Sequence, residues 1–212
     1  MTQSTAAPSV APRTVARPTM ATPVCRFDDF LGSAAADSLF NHVCVARANR
    51  LAMEISSSGA GAKLAPMWQV PGDEVPVPEF IEAVTGMAPV VREMIGIEPS
   101  DGEPTVSYEL CMHNHGDHHG DRFGPRTAEA GSLHFVYYLH RRPRAFTGGQ
   151  LRIFDTTLWD GEPACAPSFR DIAADHDSIV FFPAGSWYED RPIDCPSRRL
   201  LDGRFALRGH LT

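Results

Sequence analysis

From residue 104 onward the chain abandons helical spacing for short runs rich in β-branched and aromatic residues, and this limits the fold more than any other feature. Thr105–Met112, Leu133–Leu139, Gln150–Phe154, Ser178–Phe182, Trp187–Ile193 and Arg204–Leu211 all read as strands. Gly148-Gly149 supplies a turn ahead of one of them. The first half reads differently. Ser33 is placed to cap a helix running to about Ile55, with Leu39, Val43, Ala46 and Ala52 near one face. Pro78 suits the first turn of a second helix, whose apolar positions are Ile81, Val84, Val91, Met94 and Ile95. Pro89 should kink or divide it. Helices first and many strands afterwards predict an α+β fold, with a sheet sandwich or barrel in the second half. No internal repeat interrupts that order.

Residues 1–24 are rich in Ala, Pro, Thr and Ser and contain no acidic residue. Such a segment buries too little to offset its ordering entropy, so a disordered tail is expected, followed by one domain over residues 25–212. The charge balance, 19 basic against 26 acidic residues, gives −7 and argues against a generic grip on nucleic-acid phosphates or an anionic membrane. No apolar stretch approaches the roughly 20 residues that span a bilayer. The five cysteines are scattered, with no C-x-x-C pair, and no secretory h-region precedes them. Reduced thiols in the cytoplasm are the simplest expectation.

Nine histidines are present, four of them within residues 113–119. The stretch Cys111-Met-His-Asn-His-Gly-Asp-His-His-Gly-Asp121 holds H-x-D twice, as His115/Asp117 and His119/Asp121. In extended backbone, residues two apart point to the same side. One imidazole and one carboxylate there make two-thirds of the facial triad of non-haem Fe(II) oxygenases. Taken alone the motif also fits a solvated polar turn. A separate zinc or nickel site built from His113, His115, His118 and His119 is a further reading, though adjacent residues 118 and 119 cannot both face one ion on a regular strand.

The segment from Leu133-His-Phe-Val-Tyr-Tyr-Leu139 to Gly148-Gly-Gln-Leu151 and on to Phe154 resembles the core of the 2-oxoglutarate/Fe(II) dioxygenases, in particular their prolyl-hydroxylase-like branch. Ser178-Ile-Val-Phe-Phe-Pro183 and Asp202-Gly-Arg-Phe-Ala-Leu-Arg-Gly-His-Leu211 are similar to that family's closing strands, and Asp28-Asp-Phe-Leu31 to its domain entry. The resemblance implies a double-stranded β-helix, a jelly-roll or cupin-like barrel, with N-terminal supporting helices. It further implies Fe(II) as cofactor, 2-oxoglutarate as cosubstrate, O2 as reactant and a small-molecule or amino-acid-like substrate. Carried over residue by residue, it nominates His119 and Asp121 as metal ligands, with His115/Asp117 as runner-up. Arg204 falls where a basic residue pairs with the distal carboxylate of 2-oxoglutarate, and Tyr138 where a hydroxyl assists the same cosubstrate.

One position departs from the family. Its second histidine ligand lies shortly after the Phe-Phe-Pro strand, as His-Glu-Val followed by a proline. Here the chain reads Ser186-Trp-Tyr-Glu-Asp-Arg-Pro192, with Tyr188 in the histidine's place. A phenolate is a hard donor that suits Fe(III) better than Fe(II). Either Tyr188 binds the metal and acts in catalysis, or a position stays open to water, substrate, His118, His113 or His176. The change also motivates an alternative, an oxygenase barrel repurposed as a non-oxidative enzyme or binding module. Motifs for a P-loop, a dinucleotide fold, a nucleophile elbow and a zincin are absent. Arg141, Arg142 and Arg144 form a basic run that reads as a solvated loop at a barrel mouth.

Overall fold

A computed structural model describes residues 18–58, 68–98, 102–116 and 131–212. His118, His119, Asp117 and Asp121 lie outside those residues. Two short strands open the described chain, β1 (Thr19–Met20) and β2 (Cys25–Phe27), followed by α1 (Ser33–Ser58). Next come β3 (Trp68–Pro71), α2 (Pro78–Ile95), β4 (Val106–His113) and β5 (Leu133–Leu139). The remainder is β6 (Thr147–Gly148), β7 (Leu151–Trp159), β8 (Glu162–Ile172), β9 (Ser178–Pro183), β10 (Tyr188–Asp190), β11 (Ile193–Asp194) and β12 (Arg204–Leu211).

The larger sheet has six strands in the order β2-β9-β5-β12-β4-β3, and its neighbours all pair antiparallel. Alternation along its strands separates two environments. Leu110, Met112, Leu133, Phe135, Tyr137, Leu139, Ile179, Phe181, Phe205 and Leu207 join Ala36, Val43, Phe80, Val84 and Val91 in one core, so this face is covered by both helices. The opposite face turns Val136, Tyr138, Val180, Phe182 and Ala206 towards Leu151, Ile153 and Tyr188 of the smaller sheet. Two facing sheets with helices behind one of them are the double-stranded β-helix anticipated from the sequence.

Strand β7 is the hub of the smaller sheet. β8 runs along one edge, while β10 and β1 share the other. The tip of the β7–β8 hairpin is Asp160-Gly161, both at positive φ (52° and 86°), a two-residue turn of the kind that follows the twist of its strands. β8 is absent from the expected strands because Pro163 and Pro167 punctuate it and most of its side chains are exposed.

Other expectations need correction. Residues 19–20 pair with Thr156–Thr157, and the buried Thr22 hydroxyl donates to Phe154 O at 2.7 Å. The end of the expected tail is therefore tied to the barrel by hydrogen bonds that composition does not reveal. The run expected as one strand over Trp187–Ile193 splits into β10 and β11, because Pro192 has no N–H for a ladder and its carbonyl instead accepts from Gly149 N at 2.9 Å. Helix α2 passes through Pro89 undivided. Burial of Phe80, Val84, Ala88 and Val91 on one face holds it together across the missing hydrogen bond, while Met94, read as one of its apolar positions, is exposed.

Candidate functional site

The interior between the sheets is polar at one level, and strand alternation accounts for it. β12 aims Arg204, Ala206 and Arg208 the same way, and β10 aims Tyr188 and Asp190 towards them. Arg204 has no exposed surface. Its Nη2 donates to Asp190 Oδ1 at 2.9 Å and lies 2.9 Å from His113 Nδ1; its Nη1 donates to the carbonyl of Gly149. The second oxygen of Asp190 accepts from Arg208 Nη2. Gly148 and Gly149 both have positive φ (76° and 71°), and that turn brings the Gly149 carbonyl to Arg204.

Burial alone would push the Asp190 carboxyl up, but Arg208, Arg204 and His113 outweigh it and hold the group well below the usual carboxylate range. Arg208 is drawn up by Asp190 in spite of its burial. At neutral pH the cluster is therefore an ionised carboxylate between two guanidinium groups.

Tyr138 lies on β5, next to β12, with Ala206 as its register partner. It is fully buried, and the Arg204 guanidinium carbon stands 5.3 Å from its ring centroid, within cation–π range. Its hydroxyl has no hydrogen-bond partner among the described residues. Burial raises its pKa, only partly countered by Arg204, so the hydroxyl stays protonated as a donor. A buried hydroxyl without a protein partner is fitted to donate to a ligand oxygen.

Tyr188 is 5% exposed and shares the interior cluster with Tyr138. Its ring meets His134 and Phe182 edge-on, at centroid distances of 5.4 and 5.2 Å. Burial raises its pKa, with Arg208 opposing. The other two nominated ligands, His119 and Asp121, fall outside the described residues, and among those residues no group of three or more His, Cys, Asp and Glu could hold a metal.

The remaining histidine alternatives separate in space. His113 faces Arg204, whereas His115 Nδ1 accepts from Cys195 N at 3.3 Å and stands 3.1 Å from Asp194. These two histidines of the zinc or nickel reading thus engage different partners. His176 packs edge-on to Phe40 of α1 and lies 3.3 Å from Asp37, behind the larger sheet, so it does not reach the barrel interior as a substitute ligand. The basic run is paired: Arg141 with Asp202 at 2.7 Å, Arg142 with Asp37 at 2.5 Å and Arg144 with Asp175 at 3.5 Å. Asp190 and Arg208 were not singled out in the sequence, although each follows a nominated residue at the strand period of two (Tyr188 to Asp190) or twice that (Arg204 to Arg208).

No family model matches the sequence. An uncharacterized PKHD-type hydroxylase of Synechocystis is 34% identical over 107 residues, 49% of this chain and 35% of that protein. The chain thus spans about a third of the length of that relative. Among solved structures, a prolyl-4-hydroxylase of Pseudomonas putida aligns over 89% of this chain and 92% of its own, with TM-score 0.54 and 18% identity. HygX of Streptomyces hygroscopicus, solved with nickel and 2-oxoglutarate bound, aligns over 90% and 82%, with TM-score 0.56 and 10% identity. The fold is that of the 2-oxoglutarate/Fe(II) oxygenases, and the chain is similar to their PKHD-type and prolyl-4-hydroxylase members. The family resemblance read from the sequence is borne out.

Proposed function

We propose that the protein is a non-haem Fe(II) oxygenase that uses 2-oxoglutarate and O2 to oxidise a C–H bond of a small-molecule or amino-acid-like substrate. The observation that carries this reading is the pairing of Arg204 with Tyr138, both fully buried on adjacent strands inside the barrel, with Tyr188 in the same cluster. His119, Asp121 and Tyr188 would hold the metal. When bound, iron with an oxo acid supplies O2 activation and oxidation of the substrate.

The chain's own residues have other tasks. The Tyr138 hydroxyl donates to the bound oxo acid, and Arg204 sets a positive potential at the same level. Val136, Leu151, Ile153, Val180 and Phe182 keep water out of the surroundings, so both donors act in a low dielectric. The repurposed, non-oxidative barrel is not favoured, since the similar proteins include a PKHD-type hydroxylase and a prolyl-4-hydroxylase.

Anaerobic titration with Fe(II) and 2-oxoglutarate should produce the weak visible charge-transfer band of the chelate. Absence of that band, together with metal analysis showing no iron uptake, would overturn the proposal. Tyr188→His is expected to retain the band. Loss of metal binding in both His119→Ala and Asp121→Ala, against retention in His115→Ala, would identify the ligand pair.

A further inference from the structure

The oxo-acid reading just proposed meets an obstacle at its own anchor. A carboxylate is read best by a two-pronged edge of a guanidinium, and there are two such edges, Nε with Nη2 and Nη1 with Nη2. Nη2 belongs to both. In Arg204 its two hydrogens are taken by Asp190 Oδ1 and His113 Nδ1, each at 2.9 Å. Neither edge is open to an incoming carboxylate. Asp190 is in turn held from its other side by Arg208, a residue of the same strand as Arg204, so it is not free to swing away. Both members of the Arg204–Asp190 pair have fully buried side chains, where a second carboxylate beside Asp190 meets strong like-charge repulsion. The Tyr138 hydroxyl, by contrast, has no hydrogen-bond partner among the described residues, and a single neutral donor does not replace a two-pronged guanidinium as a carboxylate anchor.

We infer that Asp190 occupies the seat at Arg204 that the distal carboxylate of 2-oxoglutarate would take, and so determines cosubstrate specificity. The distal carboxylate adds little to affinity, and a 2-oxo acid with an uncharged tail binds at least as well. This inference rests on the oxo-acid reading but goes beyond it, because it assigns a role to a residue that stands where the family carries valine.

The test is a pair of anaerobic calorimetric titrations of the metal-loaded full chain. One uses 2-oxoglutarate and the other 2-oxopentanoate, which has the same carbon chain without the distal carboxylate. In the wild type the two dissociation constants are expected within about threefold of each other, or in favour of 2-oxopentanoate. Asp190→Ala opens the seat and Asp190→Asn removes the charge at constant shape. Either should shift the ratio by about tenfold or more towards 2-oxoglutarate. Wild-type preference for 2-oxoglutarate by about tenfold or more would overturn the inference and leave the oxo-acid reading standing. So would a ratio unmoved in a folded variant. Failure of both acids to bind any form overturns the oxo-acid reading and the inference with it. If neither variant folds, the wild-type ratio decides.

Discussion

Arg204 is the residue on which most of the interior depends, and its removal has a foreseeable cost. Breaking a buried pair by deleting one partner destabilises by about 3–5 kcal/mol, because the other charge stays behind in low dielectric. Arg204→Leu is expected to lose stability on that scale in urea denaturation. Arg204→Lys should recover only part of it, since a point charge cannot serve Asp190, His113 and Gly149 together. A second prediction concerns His140, whose pKa is lowered to about 4 by burial, with His176 and Arg144 adding to the shift and Arg141 O and Asp175 opposing it. The folded state therefore resists a proton that the unfolded chain accepts near 6.5. The contribution of His140 is fully present above that pH and lost as pH falls towards about 4, by at most ~1.4 kcal/mol per unit. Urea midpoints measured from pH 7 to pH 4.5 should fall less steeply for His140→Gln than for the wild type. At this scale the sequence was partly legible. The burial of Arg204 and Tyr138 follows from their strands and from the family resemblance, whereas the Asp190 contact does not, since it joins residues on two different sheets.

Elements were legible where their pattern was strong and obscure where the chain bends. The long strands of the larger sheet announce themselves because one face must meet the helices and the other the barrel. β8 does not, because an exposed edge strand has no apolar alternation to show, and its Asp160-Gly161 turn was the sign that could have revealed it. The β6–β7 junction shows how tightly such bends are built. A Cβ at Gly148 would lie 2.3 Å from Pro192 O, and φ there is 76°. Gly148→Ala is expected to cost at least about 1–3 kcal/mol from backbone strain alone. It should also disturb the Gly149 carbonyl at Arg204, which amide exchange of Gly149 and Arg191 would report. On the other side of the larger sheet, Phe80 is 1% exposed against Phe30, Phe135 and Tyr137. Phe80→Ala should cost about 3–5 kcal/mol while leaving ligand affinity in the barrel unchanged.

For the whole molecule, order along the chain carried most of the fold: two helices in the first half, most strands in the second, and a closing strand bearing Arg204. A metal held by His119, Asp121 and Tyr188 would join the segment that follows β4 in sequence to β10, so binding adds to global stability by mass action. Fe(II) or Mn(II) at about 100 times its dissociation constant should add ~2.7 kcal/mol. Thermal melts should show that increment in the wild type and not in Asp121→Ala. The Arg204–Asp190–Arg208 cluster has a mechanical side as well. Asp190 belongs to the smaller sheet and both arginines to the larger, so the three charges act as a rivet across the barrel interior. Prising the sheets apart at that level would break both ion pairs of Asp190. The two sheets are thereby clamped together at that level and do not part there to admit a guest.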